Sequence, residues 1–378
     1  MKKKFLSILA LIVAAAMLLG GCSGATPLSF TNAFYASSGT PEVGYNETVV
    51  YTVKNVNDYD GLVKDEQITD QLIKYNIEGT FTTQLTVMNR LPDAYSQQIT
   101  TDLDFSGEGR QHIYYYKTTL DLYATYTVGG EYSNYTDAAN VVDNGDGSKT
   151  YHDVIVSESF FFTSSQSLSP IWSNTDSRYT YLTSTSAENG QSKINVITVE
   201  SKSSTTYNST NYTITSSYVM AGMVDEKIEK TQTKNYTQKT VIDNAQLLFA
   251  IRNVELAEDA SSALPTVSAS YGAPKTLTVK NNGDKQKTLR KGGENSFTYN
   301  GQELADNELE IAVKDYSFYL NTTNDAGTPQ YLLIQKSASA SGKLPAKALI
   351  IEYVEPLSIY GSFQRLGALV YTIKSVNV

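Results

Sequence analysis

The sequence predicts a mostly β body: a large curved antiparallel sheet or half-barrel of long strands, with one amphipathic helix near residues 243–253. Three observations predict it. Apolar and polar residues alternate with period two over stretches longer than a usual strand. The chain is rich in Ser and Thr and carries 28 tyrosines against one tryptophan, and Tyr and Thr suit half-buried pleated surfaces. One segment alone switches to helical spacing, and the βαβ rhythm of an α/β protein is missing.

The first element is an export signal. Lys2, Lys3 and Lys4 make a positive start, and Phe5–Leu19 is an apolar run of about fifteen residues, short for a membrane-spanning helix of about 20. Leu19-Gly20-Gly21-Cys22 follows, then Ser23 and Gly24. This stretch resembles the lipobox of bacterial lipoproteins. The resemblance implies cleavage between Gly21 and Cys22, lipid on the Cys22 sulfur, and a membrane as partner through that lipid. Two acyl chains on one residue anchor stably. It implies an extracytoplasmic, lipid-anchored location, outward-facing in a single-membrane host; in a two-membrane host, Ser23 is compatible with the outer membrane.

Cys22 is the sole cysteine of 378 residues, so the mature chain has no internal disulfide and no Cys-rich metal site. Removing residues 1–21 takes three lysines from a net charge of −9 and leaves 357 residues at −12. So acidic a surface disfavours nucleic acid and anionic headgroups. Residues 22–45, rich in small and turn-forming residues, read as a flexible tether. The β body then spans 46–378, as one unit or as two lobes, 46–240 and 241–378.

Glu47 to Lys54 reads as the first strand. Ile73, Tyr75, Ile77, Phe81, Leu85 and Val87 share one parity, with Gly79 a natural bend. Ile99, Leu103 and Phe105 suggest a shorter strand, and Tyr114, Tyr116, Leu120, Leu122, Ala124, Tyr126 and Val128 a long one. Asp143-Asn144-Gly145-Asp146-Gly147 supplies a turn into a strand at Tyr151–Phe162. Further alternation marks 193–200, 211–220, 227–237, 310–321, 346–354 and 366–375. Residues 280–301 read as a hydrophilic hairpin or loop, and Trp172 sits in what reads as a Pro/Ser loop.

Helical spacing falls on Ala245, Leu248 and Ile251, behind Asp243 as N-cap with Gln246 three residues on, a capping-box pattern. Together with the strand at Lys275–Lys280 and Leu344-Pro345, this Asp-led helix with its late Arg252 resembles a broad uncharacterised family of bacterial envelope β-proteins. That resemblance implies an envelope β-protein and no particular chemistry.

Catalytic and metal signatures are scarce. His112 and His152 are the two histidines, and Asp153 beside His152 would point to the opposite face of a strand. There is no G-x-S-x-G, S-x-x-K or H-E-x-x-H, so no metal site or cofactor is expected. A calcium loop read from Val142 would place Asn144, Asp146 and Asp153 at ligand positions, but Val142 itself offers no oxygen; a hairpin turn explains the same letters. A carboxylate-dependent hydrolase has no signature pair to support it.

The aromatic residues that remain as candidate ligand contacts are Trp172, Tyr114, Tyr116, Tyr132 and Tyr135. Core packing explains them more economically than a ligand. The function expected is therefore non-catalytic binding or scaffolding at the envelope, with an amphiphile, a glycan or an envelope protein as partner. A lipid carrier using an apolar groove is the alternative.

Overall fold

Nineteen strands among the described residues are joined edge to edge in one sheet in the computed structural model. It describes residues 41–69, 72–105, 112–129, 134–135, 140–163, 168–186, 192–220, 227–236, 241–269, 274–293, 296–320, 329–335, 348–360 and 364–378. The first strands are β1 (Asn46–Val56), β2 (Ile73–Met88), β3 (Ile113–Val128), β4 (Asn134–Tyr135), β5 (Val141–Asp143), β6 (Lys149–Thr163) and β7 (Leu168–Ser186). β8 (Ser192–Tyr207), β9 (Asn211–Met220), β10 (Ile228–Asn235), β11 (Ile242–Asp243), β12 (Ser261–Val267) and β13 (Lys275–Arg290) follow. The last are β14 (Thr298–Tyr299), β15 (Gln302–Glu303), β16 (Glu308–Leu320), β17 (Gln330–Gln335), β18 (Ile350–Ser358) and β19 (Arg365–Asn377). Helix α1 is Asp93–Ser96; a 3-10 turn, Asn244–Gln246, leads into α2, Leu247–Arg252.

Spatial order follows the pairings: β10, β9, β8, β7, β6, β3, β2, β1, β19, β18, β17, β16, β13 and β12, with β11 beside β12. All the long pairings are antiparallel; the parallel strand pairings are two-residue ones, β11–β12, β14–β19 and β4–β8, beside single parallel bridges at Thr183/Tyr360 and Arg290/Ser296. The first and last strands of the body, β1 and β19, lie side by side, so both halves of the chain share one sheet and one main core.

Alternation builds the strands as the sequence predicts. In β2, Ile73, Ile77, Phe81, Leu85 and Val87 are buried, while Lys74, Glu78 and Gln84 are exposed. All seven residues of the β3 parity set are buried. Each apolar side chain so buried contributes roughly 1.5–3 kcal/mol.

Curvature comes from bulges and from close approach at glycine. Register shifts occur at Val50/Tyr51, Phe160/Phe161, Leu333/Ile334 and Leu357/Ser358, and each sharpens local twist. β2 runs through Gly79 without losing register; a Cβ there would lie 2.1 Å from the Asp121 carbonyl oxygen. At the β18–β19 bulge, Gly367 adopts φ +98°, and a Cβ would lie 2.1 Å from the Val56 carbonyl oxygen. The curl brings β18 round to β7. The Tyr360 amide donates to the Leu182 carbonyl (2.8 Å), and the Ser184 amide donates to that of Tyr360 (2.9 Å). This isolated bridge, two residues past the end of β18, is what closes the circuit of β7, β6, β3, β2, β1, β19 and β18 at that end.

Four expectations are corrected. Ile99, Leu103 and Phe105 lie in a non-strand connection that crosses the outer face of β3, β6 and β7, where they cover Phe160, Phe162 and Trp172. Trp172 lies within β7 and not in a loop: Pro170 is accommodated where the β6–β7 register shifts, one of the places a strand tolerates proline. Of the two alternatives for 280–301, hairpin or loop, the loop is corrected: Lys280–Arg290 is the far half of β13, paired with β16. Beyond Lys280 that strand has only β16 as partner, so most of it stays wet and its residues are polar. The strand expected at 346–354 is β18, beginning at Ile350; Ala346 and Lys347, like Leu344-Pro345, lie outside the described residues.

Candidate functional site

The Asp243-led helix is held at both ends by buried charge. At its head the capping box forms as read: Asp243 Oδ1 accepts from the Ala245 amide at 2.8 Å, and Gln246 Oε1 from the Asp243 amide at 3.2 Å. Asp243 Oδ2 also accepts from Ser173 Oγ and Tyr207 Oη, each at 2.6 Å, which ties the helix to β7 and β8. Burial pushes the Asp243 carboxyl up, and these three donors oppose it. At the tail, Arg252 makes a two-pronged bond to Glu47 of β1, Nη1–Oε1 2.8 Å and Nη2–Oε2 3.2 Å. Tyr45 Oη donates to the same Oε2 at 3.1 Å. Between the ends, Phe249, Ala250 and Ile251 are buried, so the helix plugs the concave side and leaves little face to solvent.

The closed end of the sheet carries a second polar cluster in a tyrosine wall. Asp153 of β6 accepts from the Thr180 amide (3.0 Å) and Oγ1 (2.7 Å) and from Asn140 Nδ2 (3.4 Å). Burial pushes its carboxyl up to about 6, against the Thr180 donors and the nearby His152 and Arg178. Glu355 of β18 accepts from Tyr353 and from Tyr371, the latter at 2.7 Å. Its carboxyl is likewise raised by burial, opposed by the two phenols. Tyr353 Oη also reaches Gln330 Oε1 at 2.7 Å. Tyr353 Oη thus bridges the Gln330 amide and the Glu355 carboxyl. Tyr179, raised well above the usual range chiefly by burial, feels both Glu355 and Asp153.

The outer wall offers different chemistry. Tyr123 of β3 and His152 of β6 are directly paired in register and stack with ring centroids 4.6 Å apart and planes within 5°. His152 Nε2 lies 2.8 Å from Asp121 Oδ1. His152 and Asp153 do point to opposite faces, as the strand reading requires, and the carboxylate that holds the imidazole comes from the neighbouring strand.

The residues singled out from the sequence are dispersed. Cys22 and Gly21 lie outside the described residues, as do the tether up to residue 40 and Tyr132. Tyr135 lies in β4, which pairs with β8. Tyr114 and Tyr116 are buried in the main core, their rings against Phe249, with Phe161 beside them. Trp172 is buried in the separate outer-face cluster with Phe160 and Tyr95. The concave side along the helix is thus filled by rings. In the Asp/Asn turn, Asp143 Oδ1 accepts from the Gly145 amide, and Asp146 Oδ1 from the Ser148 amide, both at 2.9 Å; these acids serve the turn itself. Among the described residues, no group of three or more His, Cys, Asp or Glu side chains is placed to hold a metal ion. Sequence reasoning missed the Glu47–Arg252 pair and the outward Tyr123; for Tyr123 the signal was present, because it shares parity with the polar Lys117, Thr119, Asp121 and Thr125.

No family model and no curated relative matches this chain. Among solved structures it is similar to the crystal structure of a beta-barrel-like protein of domain of unknown function DUF1849 from Brucella abortus. The TM-score is 0.41 at 7% identity, over 90% of this chain and 99% of that one.

Proposed function

We propose that the protein is a lipid-anchored extracytoplasmic lipoprotein whose rigid β body binds or scaffolds a partner at the cell envelope without catalysing a reaction. One observation carries the non-catalytic half of this reading. The four carboxylates packed around the main core, Glu47, Asp153, Asp243 and Glu355, have all their oxygens engaged by donors of the fold itself. Acids so committed hold strands and helix together and are not poised as a general acid and base. Two further buried acids, Asp315 and Glu352, are paired with Lys285 and Lys287.

The anchor rests on Leu19-Gly20-Gly21-Cys22 and on the absence of any other cysteine. Among the described residues no helix is long and apolar enough to cross a membrane. The test is palmitate labelling in the native host with mass spectrometry of the mature N-terminal peptide. The expected result is a diacylglyceryl-modified Cys22 as first residue and loss of label in Cys22→Ala. A mature chain that begins elsewhere, or label that survives the substitution, overturns the reading.

A further inference from the structure

The outer wall carries an aromatic surface that the core does not need. Tyr123 lies in the middle of the sheet, between β2 and β6, yet is 49% exposed. Tyr123 and Tyr360 are the two large aromatic residues left this exposed among the described residues, and the backbone of Tyr360 is used in joining β18 to β7. The Tyr123 ring is fixed on one side by the parallel His152 imidazole, which is itself fixed by Asp121. Both of those side chains remain open to water, at 37% and 45% exposure.

Register places a polar rim round this ring. Glu78 of β2, exposed, lies directly opposite Tyr123. One pleat along, Thr125 and Thr150 share a hydrogen bond of 2.8 Å, and Asn144 Nδ2 donates to Thr150 at 3.0 Å. We propose that this Tyr123–His152 platform, rimmed by Glu78, Asp121 and Thr125, is a binding site for the pyranose ring of a neutral glycan. The inference rests on the binding reading above and gives it a site and a ligand class.

The chemistry matches on three counts. A pyranose has one face of C–H groups and a rim of hydroxyls; a flat aromatic ring takes the face, as it takes bases or other apolar rings elsewhere. Carboxylate and hydroxyl oxygens at the rim accept from sugar hydroxyls, and such bonds to ionised groups are the stronger kind. The mature charge of −12 and the two rim carboxylates repel acidic polymers, which selects an uncharged sugar over a uronate or a phosphate. The whole arrangement sits on strands in the interior of a sheet, so little ordering is needed on binding. The competing account is that Tyr123 and His152 form a cross-strand pair that only stabilises the sheet. On that account their removal changes stability and no ligand responds.

The test is calorimetric titration of the full chain, extracted from membranes in detergent, with chitotetraose and cellotetraose as neutral probes and tetragalacturonate as the acidic control. Expected is a Kd on the order of millimolar for a neutral probe, as suits a single-ring platform. Tyr123→Phe keeps that affinity, Tyr123→Ala weakens it by about tenfold or more, and Tyr360→Ala leaves it unchanged. Glu78→Ala, at an exposed position, loses roughly threefold or more and carries the test if Tyr123→Ala does not fold. Unchanged Trp172 emission certifies each variant as folded. Silence of both neutral probes, equal affinity in Tyr123→Ala, or tighter binding of the galacturonate overturns the proposal. None of these outcomes touches Cys22 labelling, so failure of the platform and failure of the anchor are read separately.

Discussion

Arg252 and Glu47, 205 residues apart in sequence, meet through two parallel hydrogen bonds with 3% and 1% of their side chains exposed. The pair fastens the tail of the only helix longer than one turn among the described residues to the first strand of the body. A buried ion pair contributes little net stability when intact, because desolvation of both charges offsets their attraction. Its loss by halves is another matter.

Removing one partner leaves the other charge stranded in the core. Arg252→Met and Glu47→Gln are each expected to lower unfolding stability by about 3–5 kcal/mol in urea titrations. The double variant Glu47→Leu with Arg252→Met recovers most of that loss, because no unpaired charge remains. If the double variant is as unstable as the sum of the singles, the two residues act independently and the clamp is wrong.

Asp153 gives stability a pH dependence of a definite sign. Folded, its carboxyl titrates at about 6; unfolded, at the ordinary 3.8. The folded state therefore holds the proton more tightly, and Asp153's contribution is fully present below 3.8 and lost as pH rises through 6. A shift of about two units corresponds to about 3 kcal/mol at neutrality. Asp153→Asn keeps an acceptor for Thr180 and removes the charge. It should raise the urea midpoint at pH 7.5 and flatten the stability curve between pH 4 and 7. Glu355 shifts in the same direction, so some slope survives in the variant. Identical slopes in variant and parent would show that Asp153 is not the group responsible.

How far the fold was legible depends on the range of the signal. The alternation of β2 and β3, the turn at Asp143–Gly147 and the Asp243–Gln246 cap are local patterns, and each appears in place. Trp172 was misread because Pro170 punctuates a sequence like a loop, whereas the β6–β7 bulge absorbs it. Residues 280–290 left hairpin and loop as open alternatives because a two-stranded ribbon wet on most sides has no apolar parity to display, and the hairpin is the one that forms. Glu47–Arg252, Asp243–Tyr207 and the Tyr360–β7 junction are long-range pairings, and no period in the chain encodes which strand arrives beside which. The outward Tyr123 is legible from parity alone, since it alternates with the buried Leu122 and Ala124.

Gly79 tests the tight curl of β2 on β3. A methyl group there meets the Asp121 carbonyl oxygen at 2.1 Å and the Leu122 Cα at 2.9 Å, both backbone atoms that cannot swing aside. Gly79→Ala is expected to cost about 1–3 kcal/mol, the usual range for overpacking, although Ala is ordinarily the better strand residue of the two. The neighbouring Thr80→Ala, exposed in the same strand, should change the urea midpoint by far less. Equal effects would mean that the two strands approach less closely than described.

The single tryptophan reports on the connection between β2 and β3. Trp172 is 3% exposed and is covered by Tyr95 of α1, whose ring meets it edge-on at 5.7 Å and meets Phe160 at 5.0 Å. The same connection is pinned further along, where the Asp102 carboxylate accepts from the Ser209 amide at 2.7 Å and Oγ at 2.8 Å. Parent protein should therefore show blue-shifted emission that acrylamide quenches poorly. Tyr95→Ala uncovers the indole and should shift emission to the red with severalfold faster quenching, while the core, which lies on the other face of the sheet, keeps its far-ultraviolet signal. Asp102→Ala loosens the strap at its far end and should give a smaller change in the same direction. Emission already at the solvent-exposed wavelength in the parent would mean that the connection does not cover the wall.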